Sequence, residues 1–142
     1  SHAGVQCRPQ DIGSSPDGTT PNGKGGFNFM GRGEDASKFT GLLDELRATL
    51  NVTAVYLYGH SQGSFFALDY AGEEPEAIAG VVAHASGVWT LTNISDKGHG
   101  QAIVLMHGTA DPVMPYSQSV GGYAVYRDKE YPMIRKIGRA HV

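Results

Sequence analysis

The chain is short of several things, and each shortage excludes something. It holds one cysteine, Cys7, so no disulfide can form within it. No apolar run approaches the roughly 20 residues that a bilayer-spanning helix needs. Positive charge is scarce and scattered: 11 Lys and Arg stand against 14 Asp and Glu, for a formal net charge of -3, which leaves no basic stripe for a nucleic-acid partner. No internal repeat is visible, which argues against a solenoid or propeller. With 142 residues and 18% charge, the composition fits one globular unit. Ser1 rather than Met heads the chain, so the lack of a leader-like segment excludes nothing and leaves localisation open.

Glycine, by contrast, is abundant at 20 residues. Together with Pro9, Pro16 and Pro21 it breaks up residues 1–33, where no periodic apolar pattern survives and an irregular region is expected. Within that stretch, Gly18 to Gly25 nearly spells a phosphate-binding loop. Neither a Ser or Thr after Lys24 nor a preceding strand is present, so no phosphate site is expected. Asn51-Val52-Thr53 and Asn93-Ile94-Ser95 fit the glycosylation triplet, a pattern too common to carry weight.

Periodicity begins at Asp35, a candidate helix cap. Phe39, Leu42, Leu43, Leu46 and Leu50 then recur at helical spacing on one face, and the helix is expected to end near Asn51. Val52-Thr-Ala-Val-Tyr-Leu-Tyr58 is rich in β-branched and aromatic residues and reads as a buried strand. Phe65 to Ala71 reads as a helix, with no breaker before Gly72 and Pro75. Residues 78–85 and 102–106 read as further strands, separated by a loop over 86–100. Pro115 to Arg127 reads as a helix weakened by Gly121 and Gly122. Continuous apolar strands alternating with helices predict an α/β fold: a parallel sheet with helices on both faces.

Gly59-His60-Ser61-Gln62-Gly63 lies between the first strand and the helix that follows. This is the G-x-S-x-G pattern of a nucleophile elbow, in the strand–turn–helix context that gives the pattern meaning. A serine hydroxyl is a weak nucleophile and must project from a sharp turn to meet both a base and a substrate carbonyl. Small residues at Gly59 and Gly63 are expected because a Cβ at either would clash where strand and helix close together. Gln62 begins the helix, and its backbone N–H is the expected oxyanion-hole donor. The second candidate is Asp111, in Met106-His107-Gly108-Thr109-Ala110-Asp111-Pro112, directly after the third strand. Functional groups of open α/β sheets collect outside the carboxyl ends of the strands. An aspartate there can orient a histidine base and stabilise its charged form.

These two segments resemble the α/β-hydrolase superfamily. The run Gly33-Glu34-Asp35-Ala-Ser-Lys-Phe39 before the elbow is similar to the poly(hydroxyalkanoate) depolymerase, feruloyl esterase and dienelactone-hydrolase-like group. The resemblance covers about residues 26–128. It implies a serine hydrolase of small-molecule or polymeric carboxylic esters, with Ser61 as nucleophile and Asp111 as acid in the chain order Ser, Asp, His. No metal or cofactor is implied. A peptidase or thioesterase on the same scaffold, or a non-catalytic binding member, is the alternative.

The third triad member is not evident among the six histidines. His2 lies in the irregular start, and His60 is inside the elbow and expected to point away from the serine. His84 reads as a core histidine in Val-Val-Ala-His-Ala. His99 precedes the acid, and His107 belongs to the acid's own motif. His141 alone follows Asp111, yet Lys136-Ile-Gly-Arg-Ala-His-Val142 reads as the translation of a widely used sequencing adapter. The expectation is a partial α/β-hydrolase domain over 1–135, a non-native tail over 136–142, and outer strands absent. The catalytic histidine would then lie beyond residue 135, and the chain as given would be inactive.

Overall fold

The computed structural model describes residues 31–88, 94 and 100–138. In chain order the elements are α1 (Gly33–Thr49), β1 (Tyr56–His60), α2 (Gln62–Glu73), β2 (Gly80–His84), β3 (Ala102–Gly108), α3 (Tyr116–Asp128) and β4 (Met133–Gly138). The four strands form one sheet in the order β1-β2-β3-β4, with every neighbouring pair parallel. Parallel neighbours need a crossover, supplied by α2 between β1 and β2 and by α3 between β3 and β4. The molecule is thus an α/β fold with a wholly parallel sheet among its described residues, as the alternation of apolar runs predicted.

Strand pairing puts alternate residues on opposite faces. Val81, Ala83, Ile103 and Leu105 point to one face and are each 1% exposed. They pack with Phe66, Ala67, Leu68, Tyr70 and Ala71 of α2 in the core. Full burial of a side chain such as Leu68 contributes about 2–3 kcal/mol. Tyr56, Tyr58 and Ile134 take the other alternation and are 68%, 67% and 54% exposed. The register sets Tyr58 beside Val82, Val82 beside Val104, and Val104 beside Ile134.

α1 is joined to α2 by rings. Phe39 meets Phe66 edge-on at 5.4 Å and Tyr70 edge-on at 4.8 Å. The buried Tyr70 hydroxyl lies 2.9 Å from Thr40 Oγ1, which gives its polar tip a partner. Burial raises the Tyr70 pKa above its ordinary value. Only Phe39 and Leu43 of the expected apolar stripe are buried; Leu42 and Leu46 are each 41% exposed and Leu50 is 59% exposed. The spacing identified the helix but overstated how much of its face is covered. Asp35 is not the cap either: Arg32 holds that position, and Asp35 is buried within the first turn. With Glu34 it suits the positive end of the helix dipole.

The clearest departures from expectation are at β1 and β4. β1 starts at Tyr56 rather than Val52, because its partner β2 starts at Gly80, opposite Tyr56. β4 is not foreshadowed in the sequence, where Arg135 and Lys136 interrupt the apolar pattern. It pairs with β3 from Met133 to Gly138, so the ladder runs across the expected boundary at residue 135. The expected irregular region over 1–33 lies outside the described residues except at its end, and so do most of the 86–100 loop and residues 139–142. Among the described residues, no helix is long and apolar enough to cross a membrane.

Candidate active site

β1 ends at His60 and α2 begins at Gln62, leaving a single residue, Ser61, to turn the chain. Ser61 does so at φ 53° and ψ -122°, a left-handed conformation that a side chain disfavours. Such strain costs on the order of 1–3 kcal/mol and persists only where the surroundings impose it. Three contacts do so here. The Ser61 N–H donates to the His84 carbonyl at the end of β2, 2.8 Å away. Gly59 lies against the first turn of α2, where an added Cβ would overlap the Gly63 carbonyl and sit 2.5 Å from Ser64 N. The fully buried Ser64 hydroxyl lies 2.6 Å from the Gly59 carbonyl and 2.8 Å from the His84 carbonyl, and accepts the His84 N–H at 2.9 Å.

The elbow corrects one sequence expectation and adds a residue. A Cβ at Gly63 would meet nothing within 4 Å, so only Gly59 is held small by contact with backbone. Ser64 was missed. Its signal was a hydroxyl-bearing residue directly after the motif, at the head of an otherwise apolar helix. Gln62 is the first residue of α2, so its N–H belongs to the turn in which a helix has no carbonyl of its own to offer.

Asp111 lies just beyond the carboxyl end of β3. Its Oδ1 accepts the N–H groups of Val113 and Met114, each at 2.9 Å, and its side chain is 6% exposed. The Met114 and Val113 N–H bonds hold its carboxyl below the usual carboxylate range, with His107 and His60 adding in the same direction. A carboxylate so held is ionised at neutral pH and stays ionised well into acid.

The described histidines gather at the same end of the sheet. His60 and His84 are register partners, with rings edge-on at 5.0 Å. His84 is half-buried rather than a core residue, and its Nδ1 lies 3.2 Å from the Tyr58 hydroxyl. Burial lowers its pKa, His60 and His107 lower it further, and Asp111 opposes them. His107 is the core histidine, with its side chain fully buried. Ser61 Oγ has no hydrogen bond to a histidine among the described residues, and His2, His99 and His141 lie outside them. Among the described residues, no group of three or more His, Cys, Asp or Glu is placed to hold a metal ion. A cavity of about 500 Å3 lies at the opposite end of the sheet, between Val52 and Tyr56, Pro75 and Ala79, and Gly100 and Ala102.

Elbow and acid turn thus open at the carboxyl ends of β1 and β3, with β2 between them. Two strand spacings separate those strands by roughly 10 Å.

Solved structures share this arrangement of elements. A thermostable esterase superposes with a TM-score of 0.64 at 16% identity, over 94% of this chain and 34% of its own. A lidless α/β serine hydrolase, XC6422 from Xanthomonas campestris, superposes at 0.55 with 18% identity, over 83% of this chain and 51% of its own. Est1E from Butyrivibrio proteoclasticus, solved with ferulic acid bound, superposes at 0.52 with 15% identity, over 81% of this chain and 67% of its own. The chain therefore spans about a third of the first of these proteins and half of the second. No curated protein matches the sequence. The sequence pattern of the alpha/beta hydrolase fold matches residues 26–102, more than half of the chain. The chain belongs to the α/β hydrolase fold family.

Proposed function

We propose that this chain carries the nucleophile and acid of a serine hydrolase acting on carboxylic esters through an acyl-enzyme. The observation that carries the reading is the strained Ser61, alone between β1 and α2, on the same sheet edge as an ionised Asp111. Strain of this kind gathers at functional sites, and here it lifts a hydroxyl out of the chain at the head of a helix. The two-strand gap between elbow and acid turn suits one imidazole bridging the pair. One structural neighbour is an esterase and another holds ferulic acid, an aromatic carboxylic acid; both direct the proposal to esters.

In this mechanism Ser61 Oγ attacks the acyl carbonyl while the imidazole takes its proton. The carbonyl oxygen becomes an oxyanion, held by the Gln62 N–H at the positive end of α2. The tetrahedral intermediate collapses, and the imidazole returns the proton to the departing alcohol. Water then attacks the acyl-enzyme by the same route and releases the acid. Asp111 holds the imidazole's tautomer and offsets its charge. In this reading the base comes from outside the described residues, so these form no working site by themselves.

The test is ester hydrolysis by a longer chain, read from the gene past codon 135 and supplying a histidine. Ser61→Ala should abolish turnover of a short-acyl aryl ester, and Asp111→Asn should lower kcat on the order of 10^3 to 10^4-fold. Full activity in Ser61→Ala would overturn the reading. Turnover of thioesters or peptides but not esters would correct the substrate class.

A further inference from the structure

We propose that His107 is a positioning residue for the acid turn: its Nε2–H holds the Met114 carbonyl, and so fixes the residue whose own N–H clamps Asp111. The inference rests on the reading of Asp111 as the triad acid, and its test is separable from that reading.

The geometry is a closed loop of contacts. His107 Nε2 lies 3.0 Å from the Met114 carbonyl oxygen, and Met114 N lies 2.9 Å from Asp111 Oδ1. One backbone residue is therefore gripped on both sides, by the imidazole at its carbonyl and by the carboxylate at its amide. A carbonyl only accepts, so this bond puts the imidazole proton on Nε2 and leaves Nδ1 bare. Nδ1 is buried and, among the described residues, has no hydrogen-bond partner. A buried lone pair without a donor is unfavourable, and the fold bears that cost here. What the imidazole supplies in return is the Nε2 donor. Tyr116 at the head of α3 meets the ring edge-on at 5.8 Å, which helps set its plane.

The turn needs such a tie. Val113 at its tip is 82% exposed, and the Asp111 N–H reaches the Gly108 carbonyl only at 3.3 Å. His107 holds the far end of the turn against β3, beneath it. The partition of the imidazole proton also matters. Asp111 Oδ2 lies 3.6 Å from Nε2, beyond hydrogen-bond length. With Nε2–H given to Met114 and both turn amides given to Oδ1, Oδ2 stays open to a further donor. That is the oxygen a catalytic imidazole N–H would meet.

The experiment is an NMR titration of the Asp111 carboxyl in the 142-residue chain and in two variants, His107→Gln and His107→Leu. Gln keeps an amide N–H able to reach the Met114 carbonyl; Leu keeps none. Both remove the imidazole, and the other histidine that bears on Asp111, His60, is unchanged. The difference between the variants therefore isolates the hydrogen bond from the loss of the ring. The expected result is that Asp111 titrates at higher pH in His107→Leu than in His107→Gln, toward the ordinary carboxylate value. Equal titration of the two variants would overturn the proposal. The unmodified chain gives a second reading that survives any failure of a variant to fold. Imidazole 15N shifts should show His107 protonated at Nε2, and the Nδ1–H tautomer would overturn the proposal. Neither measurement depends on ester hydrolysis, so an Asp111→Asn chain with full activity would sink the hydrolase reading alone.

Discussion

The elbow and the acid turn occupy the same edge of one sheet, yet they are held by different forces. At the elbow the constraint is steric and backbone-borne. Ser61 is twisted because β1 must pass into α2 with one residue to spare, and Gly59 makes room by having no Cβ. At the acid turn the constraint is polar. Asp111 is fixed by two backbone amides, and the turn is tied down by a buried imidazole. Ser61 should therefore be disrupted by changes of shape, and Asp111 by changes of protonation.

The largest expected effects lie at the elbow. Gly59→Ala forces a Cβ into the backbone of Gly63 and should cost about 3 kcal/mol or more. Ser64→Ala leaves the Gly59 carbonyl and the His84 N–H without their shared hydroxyl and should cost about 1–3 kcal/mol. Gly63→Ala, in open space at the start of α2, should change stability by less than about 1 kcal/mol, on the stabilising side. Urea melts rank the three. Equal losses at Gly59 and Gly63 would show that close backbone approach at Gly59 is not what holds the elbow.

A smaller effect should separate the polar half by pH. The Asp111 pKa is lower in the folded chain than in the unfolded one. Its contribution is complete above the ordinary carboxylate value, about pH 4, and is lost as pH falls through the folded value. Asp111→Asn should flatten the stability curve in that window only. The His84 pKa is also lowered, but for a base the loss starts higher. The folded chain resists a proton that the unfolded chain binds below about pH 6.5, so stability erodes as pH falls from there. His84→Gln should remove that upper slope and leave the lower one.

The elbow was legible because its cause is local. A strand pattern, a glycine, a serine and a helix pattern stand next to one another, and the turn follows from their adjacency. The sheet was legible for the same reason: Ile78 to Ala85 and Ala102 to Met106 announce buried strands by composition. What escaped was set by partners distant in sequence. Ser64 acts through His84, 20 residues on, which no local pattern records. The place of Asp111 just beyond β3 could be read from the sequence, but the Met114–His107 grip appears only once the turn folds back over β3. β4 carries Arg135 and Lys136 and is a strand because β3 offers it a ladder. The apolar stripe of α1 was overstated because periodicity shows which residues share a face, not how much of that face is covered.

The proposed chemistry makes Ser61 an activated nucleophile once an imidazole joins it to Asp111. Fluorophosphonate labelling, read by intact mass and peptide mapping, tests this directly. A longer chain that supplies the histidine should be labelled once per molecule, at Ser61, while the 142-residue chain should stay unlabelled. Stoichiometric labelling of Ser61 in the 142-residue chain would show that a histidine of this chain already serves as the base, against the expectation of one supplied from beyond residue 135. A longer chain that stays unlabelled would contradict the claim that Ser61 is the nucleophile at all.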